Sequence, residues 1–268
     1  MRGADRFGAP LVLGAILGAL LAATAPAAAQ DMLRNVDLAQ PAYSQSEFTR
    51  ADIEARLAAT KPGETLDLSG RSLNGLDLSG LDLTGVNLRA ARLVKARLAG
   101  AKLDGAILDQ AWLLEADLSG ATLRGAHVFA TQLQRARAEG ADFSQSRLAA
   151  DLTGADLRGA SFRGANLSAD MKNQSMGLMR AVLRSARLDG AHFDGANLSR
   201  ADMRYARAPG AVFDKASLKD VDAAGADFTG ARFEGTAAEG LSLDSVRIDR
   251  GAAATLKGAV DLDRAYLQ

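Results

Sequence analysis

The stretch Leu76-Asp-Leu-Ser-Gly-Leu-Asp-Leu-Thr-Gly85 writes nearly the same five residues twice, and the chain keeps that period for most of its length. Apolar centres recur at every fifth residue from Leu68, Leu73 and Leu78 through Val128, Phe143 and Leu148. Two residues before each centre stands a second apolar residue, usually Ala (Ala91, Ala96, Ala101); two residues after it Gly is common (Gly80, Gly100, Gly120). A step of five suits no α-helix. At about 100° per residue the apolar stripe would drift by ~140° each repeat and face nothing. Within one repeat, however, Ala-x-Leu alternates in-out-in, as in a strand. The two residues that follow are free to turn a corner, where Gly tolerates positive φ. Four such bends close a square turn of about twenty residues, each turn hydrogen-bonded to the next at the ~4.8 Å strand spacing. No repeat buries its apolar face alone, so stability comes from stacking.

Ala116-Asp-Leu-Ser-Gly120, Ala155-Asp-Leu-Arg-Gly159 and Ala165-Asn-Leu-Ser168 resemble the pentapeptide repeat family, and the likeness runs over about residues 66 to 267. The resemblance implies an all-β fold, a right-handed quadrilateral β-helix. It implies little about function.

The register slips after Leu148, where the next centre, Leu152, comes one residue early. It resumes at Leu183 after Leu167, so the segment at about 169–182 is expected to form a bulge or short loop spanning two degenerate repeats. Ahead of the repeats, Ser46 to Ala58 reads as a short amphipathic helix with Ser46 or Thr49 as N-cap and Phe48, Ile53 and Leu57 on one face. Laid on the first coil, it would act as a lid over an exposed edge and an apolar interior. After Ile248 only imperfect final repeats are expected. The organisation is thus 1–29 signal peptide, 30–64 N-terminal segment with capping helix, and 65–268 β-helix.

The signal-peptide reading rests on Arg2 and Arg6, an apolar run from Leu11 to Leu21, and Pro26-Ala27-Ala28-Ala29 as a cleavage site. The run falls short of the ~20 residues a spanning helix needs. Cleavage near Ala29 would give a periplasmic or secreted protein with no stable membrane insertion. Lys+Arg and Asp+Glu are equal at 32 each, so no global charge points to nucleic acid. The absence of cysteine excludes disulfides, a cysteine nucleophile and a Cys-based metal site.

No enzyme constellation is present: there is no G-x-S-x-G, P-loop or H-E-x-x-H. His127 and His192 each precede a centre and are expected to point outward from different coils, as solvated surface residues. Met171, Met176 and Met179 are expected to cover apolar surface at the bulge rather than bind a soft metal. No cofactor and no metal site is therefore expected. Residues twenty apart stack, so Asp77, Arg97, Asp117, Arg137 and Asp156 form an alternating ladder that reads as structural support. Other columns oppose like charges: Asp194, Asp214 and Glu234, with Lys215 and Arg232 close by, and the pairs Arg184 under Arg204 and Arg187 under Arg207. Val94, Ile107, Trp112 and Leu114 occupy outward positions and form a candidate apolar interaction patch.

These features point to a non-enzymatic, exported, rigid scaffold whose partner is a protein or another envelope component, with a homodimer as one possibility and no nucleic acid. The alternative is a DNA-mimicking inhibitor of a type II topoisomerase, which the family resemblance implies only for a strongly acidic, cytoplasmic member.

Overall fold

The structure, a computed structural model, describes residues 37–171 and 179–268. The proposed signal peptide and Met176 lie outside the described residues. Short paired segments wind into a square coil. Parallel bridges join residues twenty apart, as in Asp77↔Arg97, Arg97↔Asp117 and Asp117↔Arg137. Each outward residue bonds in both directions: the Asp117 amide donates to Ala96 O (2.9 Å), and Asp117 O accepts from the Leu98 amide (2.6 Å). At each corner a tight turn closes, as where the Ala101 amide donates to Leu98 O (3.0 Å) with Gly100 at φ 64°. That left-handed corner residue is not always Gly. Lys95 holds φ 56° and Glu115 the same, at a strain of roughly 1–2 kcal/mol each.

The interior is one side chain deep per wall. Centres such as Leu98 and Leu118, and the alanines two before them, are fully buried. Phe193, Phe213 and Phe233 stack inside one wall with centroids 4.9 and 5.2 Å apart, which bears out four repeats per turn. The stack runs on through Phe162 and Phe143, at 4.8 and 5.1 Å.

Both interruptions spare this register. Across the first, bridges fall nineteen residues apart (Gln132↔Asp151, Asp142↔Ser161), because the corner after Leu148 lacks its left-handed residue and small, buried Ala149 and Ala150 close it directly. Across the second they fall thirty-one apart (Asp151↔Val182, Ser161↔His192), eleven more than in a regular turn, and the register then resumes. Most of the expected bulge lies outside the described residues; beside it the Asp170 amide donates to Met179 O (2.8 Å).

At the N-terminal end, α1 (Pro41–Ser44) precedes α2 (Arg50–Ala59). Thr49 caps α2 in a reciprocal box with Asp52. Ile53 is fully buried in the core cluster, with Phe48 and Leu57 packed against it. Arg50 donates to Ser79 O (3.1 Å), tying α2 to the coil. Ser46, expected within the helix, instead bridges antiparallel to Leu73. At the other end β1 (Asp227–Phe228), β2 (Arg247–Ile248) and β3 (Tyr266–Leu267) pair in parallel. A one-turn helix, α3 (Arg250–Ala253), interrupts the last coil where only imperfect repeats were expected, and buries Ala253 and Leu256 in the core cluster.

Candidate functional site

The rod presents four faces, two of which carry outward Trp112 and Asp117. The Trp112 face carries the column Ser72, Arg92, Trp112, Gln132, Asp151, Val182 and Asp202. It holds two of the expected sites at once: Trp112 with Val94 and Leu114 at the lower end, and Arg184 with Arg204 at the upper end.

The apolar patch is corrected in its central feature. Val94 and Leu114 are 0% and 1% exposed, so they are not open surface. Ile107 is half-buried and belongs to the adjacent face, in the column of Asn87 and His127. Trp112 is 37% exposed, and the Tyr43 ring stacks on it with centroids 5.9 Å apart. The reason is a segment absent from the periodic pattern. Residues 38–47 lie along this face, where Gln45 O accepts from Ser72 Oγ (2.5 Å) and from Asn74 Nδ2 (3.3 Å). The Glu47 amide donates to Ser72 O (2.8 Å), and the Glu47 carboxylate lies 3.4 Å from Arg71 and 3.7 Å from Arg92. The position after a centre faces outward from the coil, and at Asn74 the chain's own N-terminal segment meets it.

The arginine columns are likewise corrected: they have partners. Arg184, Arg204 and Arg180 converge on Asp202, a fully buried carboxylate, at 2.5, 2.7 and 3.4 Å. Burial pushes this carboxyl up, but hydrogen bonds from Arg204 and Arg184 outweigh it and hold it down at about 2. Arg204 also reaches Asp222 (3.2 Å). On the Asp117 face Arg187 meets Asp156 (3.4 Å) and Arg207 meets Asp189 (2.9 Å). Asp202 is the functional-looking residue that sequence reading missed. Its signal was an acid one residue before a centre with Arg one residue after it, which recurs as Asp156 and Arg158 (2.8 Å).

The acid column is compensated from its flanks. Arg232 binds Asp214, whose second oxygen accepts from the Glu234 amide (2.9 Å). The Arg232 hydrogen bond is the main reason the Asp214 carboxyl is held below its usual range. Asp194 lies 3.3 Å from Arg163, while Glu234 is exposed. The expected ladder is present, with Asp77–Arg97 at 2.7 Å and Asp117 bonded to Arg137. His192 Nδ1 sits 2.8 Å from Arg163, on a different face from His127. Met171 is exposed and its sulfur accepts from Arg200 (3.3 Å). At the corner shortened by one residue, a cleft of about 300 Å³ opens between Phe129, Arg147, Asn166 and Asp170.

A family model for pentapeptide repeats matches in eight copies, over residues 67–98, 91–128, 113–149, 129–169, 178–213 and 196–235. Comparison with curated proteins finds no match. Among solved structures the chain is similar to HetL, a pentapeptide repeat protein involved in heterocyst differentiation regulation from the cyanobacterium Nostoc sp. strain PCC 7120. Identity is 29%, over 81% of this chain and 92% of that one, with a TM-score of 0.46. It is also similar to QnrB1, a plasmid-mediated fluoroquinolone resistance protein, at 17% identity over 76% of this chain and 90% of that one, with a TM-score of 0.44. A third is a pentapeptide repeat protein of the Arabidopsis thaliana thylakoid lumen, at 30% identity over 52% of this chain and 75% of that one, with a TM-score of 0.27. The repeat model alone spans well over half of the sequence, and with the square coil it decides the matter: the chain belongs to the pentapeptide repeat family and folds as a right-handed quadrilateral β-helix.

Proposed function

We propose that this protein is an exported, non-enzymatic scaffold that binds a protein, or another envelope component, along a flat face of its rod. One observation carries the reading. The Trp112 face already holds a non-repeat segment, a helical turn running into an antiparallel bridge, through the Ser72 and Asn74 side chains, a backbone bond from Glu47 and an aromatic stack. A face that receives one such segment has the groups to receive another. Residues 1–29 support export by their basic start, apolar run and small-residue end. The pairing of Asp214 with Arg232 and of Asp194 with Arg163 speaks against a nucleic-acid mimic, which needs uncompensated acid.

The test is affinity capture. The chain beginning at Gln30, incubated with nuclease-treated extract of its native envelope, is expected to enrich a defined protein. Enrichment of nothing tells against the scaffold. N-terminal sequencing of material from the host is expected to start near Gln30, and recovery of intact Met1 protein in membranes overturns export.

A further inference from the structure

Residues 38–47 form a strap on the Trp112 face, and its two halves are held differently. Around Gln45 and Glu47 the hold is polar, through Ser72, Asn74 and Arg71. Towards Leu38 the strap satisfies its own polar groups: the Tyr43 amide donates to Gln40 O (2.8 Å), the Gln45 amide to Pro41 O (3.0 Å) and Ser44 Oγ to Gln40 O (3.0 Å). What it offers the rod there is chiefly the Tyr43 ring on Trp112. The fit is incomplete. Arg92 Nε and Gln134 Oε1, a donor and an acceptor on this face, are buried without a partner. Native structures rarely leave buried polar atoms unpaired, so these two are open to a further partner. Beside the aromatic pair a cleft of about 470 Å³, lined by Tyr43, Ala90, Arg92 and Trp112, gives room for one.

We propose that the Trp112 face is a peptide-recognition groove and that the strap is its resident competitor. The partner is a protein segment with the strap's form and chemistry: a helical turn that presents an aromatic residue, followed about four positions later by a carboxylate. Its ring replaces Tyr43 on Trp112, and its carboxylate replaces Glu47 beside Arg71 and Arg92. Its backbone supplies an acceptor for Arg92 Nε and a donor for Gln134 Oε1. This deepens the scaffold reading and rests on it.

Trp112 is the only tryptophan, so its emission reports on the groove directly. The chain from Gln30 is titrated with a synthetic peptide spanning residues 38–49. A saturable change in emission is expected. Tyr43→Ala in the chain weakens the competitor and leaves the rod's own side of the groove, Ala90, Arg92 and Trp112, intact, so the peptide should bind about two- to tenfold more tightly, the range set by an aromatic pair and by the competent fraction it frees. Trp112→Ala, followed by calorimetry, should lose the peptide. Where that variant proves misfolded by circular dichroism, Arg92→Ala takes its place and should weaken binding. The proposal is overturned if neither the wild-type nor the Tyr43→Ala chain binds the peptide, or if Tyr43→Ala binds it no better. In the envelope capture, a partner retained undiminished by Trp112→Ala overturns the groove and leaves the scaffold standing, whereas failure of the wild-type chain to capture anything counts against the scaffold itself.

Discussion

At the lower end of the Trp112 face, Val94 and Leu114 are buried beside a strap from elsewhere in the chain that stacks on Trp112. At the upper end Asp202, in the same outward column as Trp112, is buried by three guanidiniums reaching across from Arg180, Arg184 and Arg204. Both positions are outward in the repeat, and both are dry. The lower cover, an aromatic ring and a set of polar contacts, comes from a separate segment. The upper cover is ionic and belongs to the coil itself. A cover of the first kind can leave without disturbing the rod; a cover of the second cannot. Burial in a solenoid thus has two meanings, and exposure alone does not distinguish them.

The sharpest test sets two adjacent residues of equal burial against each other. Leu113 faces the interior and Leu114 follows it on the outward side, beside the strap's stack on Trp112, each at 1% exposure. Leu113→Ala should cost about 3–5 kcal/mol in denaturant unfolding, the range for a core leucine whose cavity cannot collapse. Leu114→Ala should cost about 1–2 kcal/mol, because the strap lifts instead of the coil opening. Equal costs would show that strap and rod unfold as one, and the comparison would fail.

Asp202→Ala comes next, at about 3 kcal/mol, since it strands buried positive charge. The arginines are 23–35% exposed on their side chains and recover some hydration, which keeps the figure at the low end. A loss under about 1 kcal/mol would make the upper cover as removable as the lower.

Acid titration sharpens the same point. The folded-state carboxyl of Asp202 is depressed from 3.8 to about 2, so its contribution is fully present above pH 4 and is lost as pH falls through 2. The stability gap between wild type and Asp202→Ala should therefore stay constant from neutral pH to about 4 and narrow only below that. A gap that closes between pH 6 and 5 would mean another group is responsible.

The smallest effect is expected on the Asp117 face. Asp117→Asn removes a one-to-one ladder pair with Arg137, a largely exposed partner, and should cost less than about 1 kcal/mol and less still at high salt. A loss matching that of Asp202 would mean that convergence of several arginines on one acid adds nothing.

What was legible in the sequence followed from the period. Five-residue spacing dictates the corner, the corner dictates four walls, and the phenylalanines at 193, 213 and 233 then have to meet. The strap was not legible because Pro41, Tyr43 and Gln45 have no period, and their docking is decided by Ser72, Asn74 and Trp112 far along the chain. Asp202 was hidden for a related reason. Counting like charges up a column sees Arg184 beneath Arg204 but not the acid in the next column that both reach sideways. The second interruption was legible as a break that restores the phase, and the bridge from Asp151 to Val182 shows the register resuming across it.

The rungs of this rod run along its axis. Leu98 hangs on Asp117, Asp117 on Ala96, and so from coil to coil. Pulled end to end, such a molecule is loaded like a stack of rings joined in series, and the chain should come away one winding at a time from whichever end is weaker. Each winding shortens the stack by only ~4.8 Å. Yet its twenty residues release up to about 70 Å of extended chain. Under tension the protein should therefore lengthen in a series of nearly even steps, with the winding that carries eleven extra residues giving a longer one. A tether built this way would absorb a sudden pull between two anchored partners by giving up a coil, and would rewind when the pull eased.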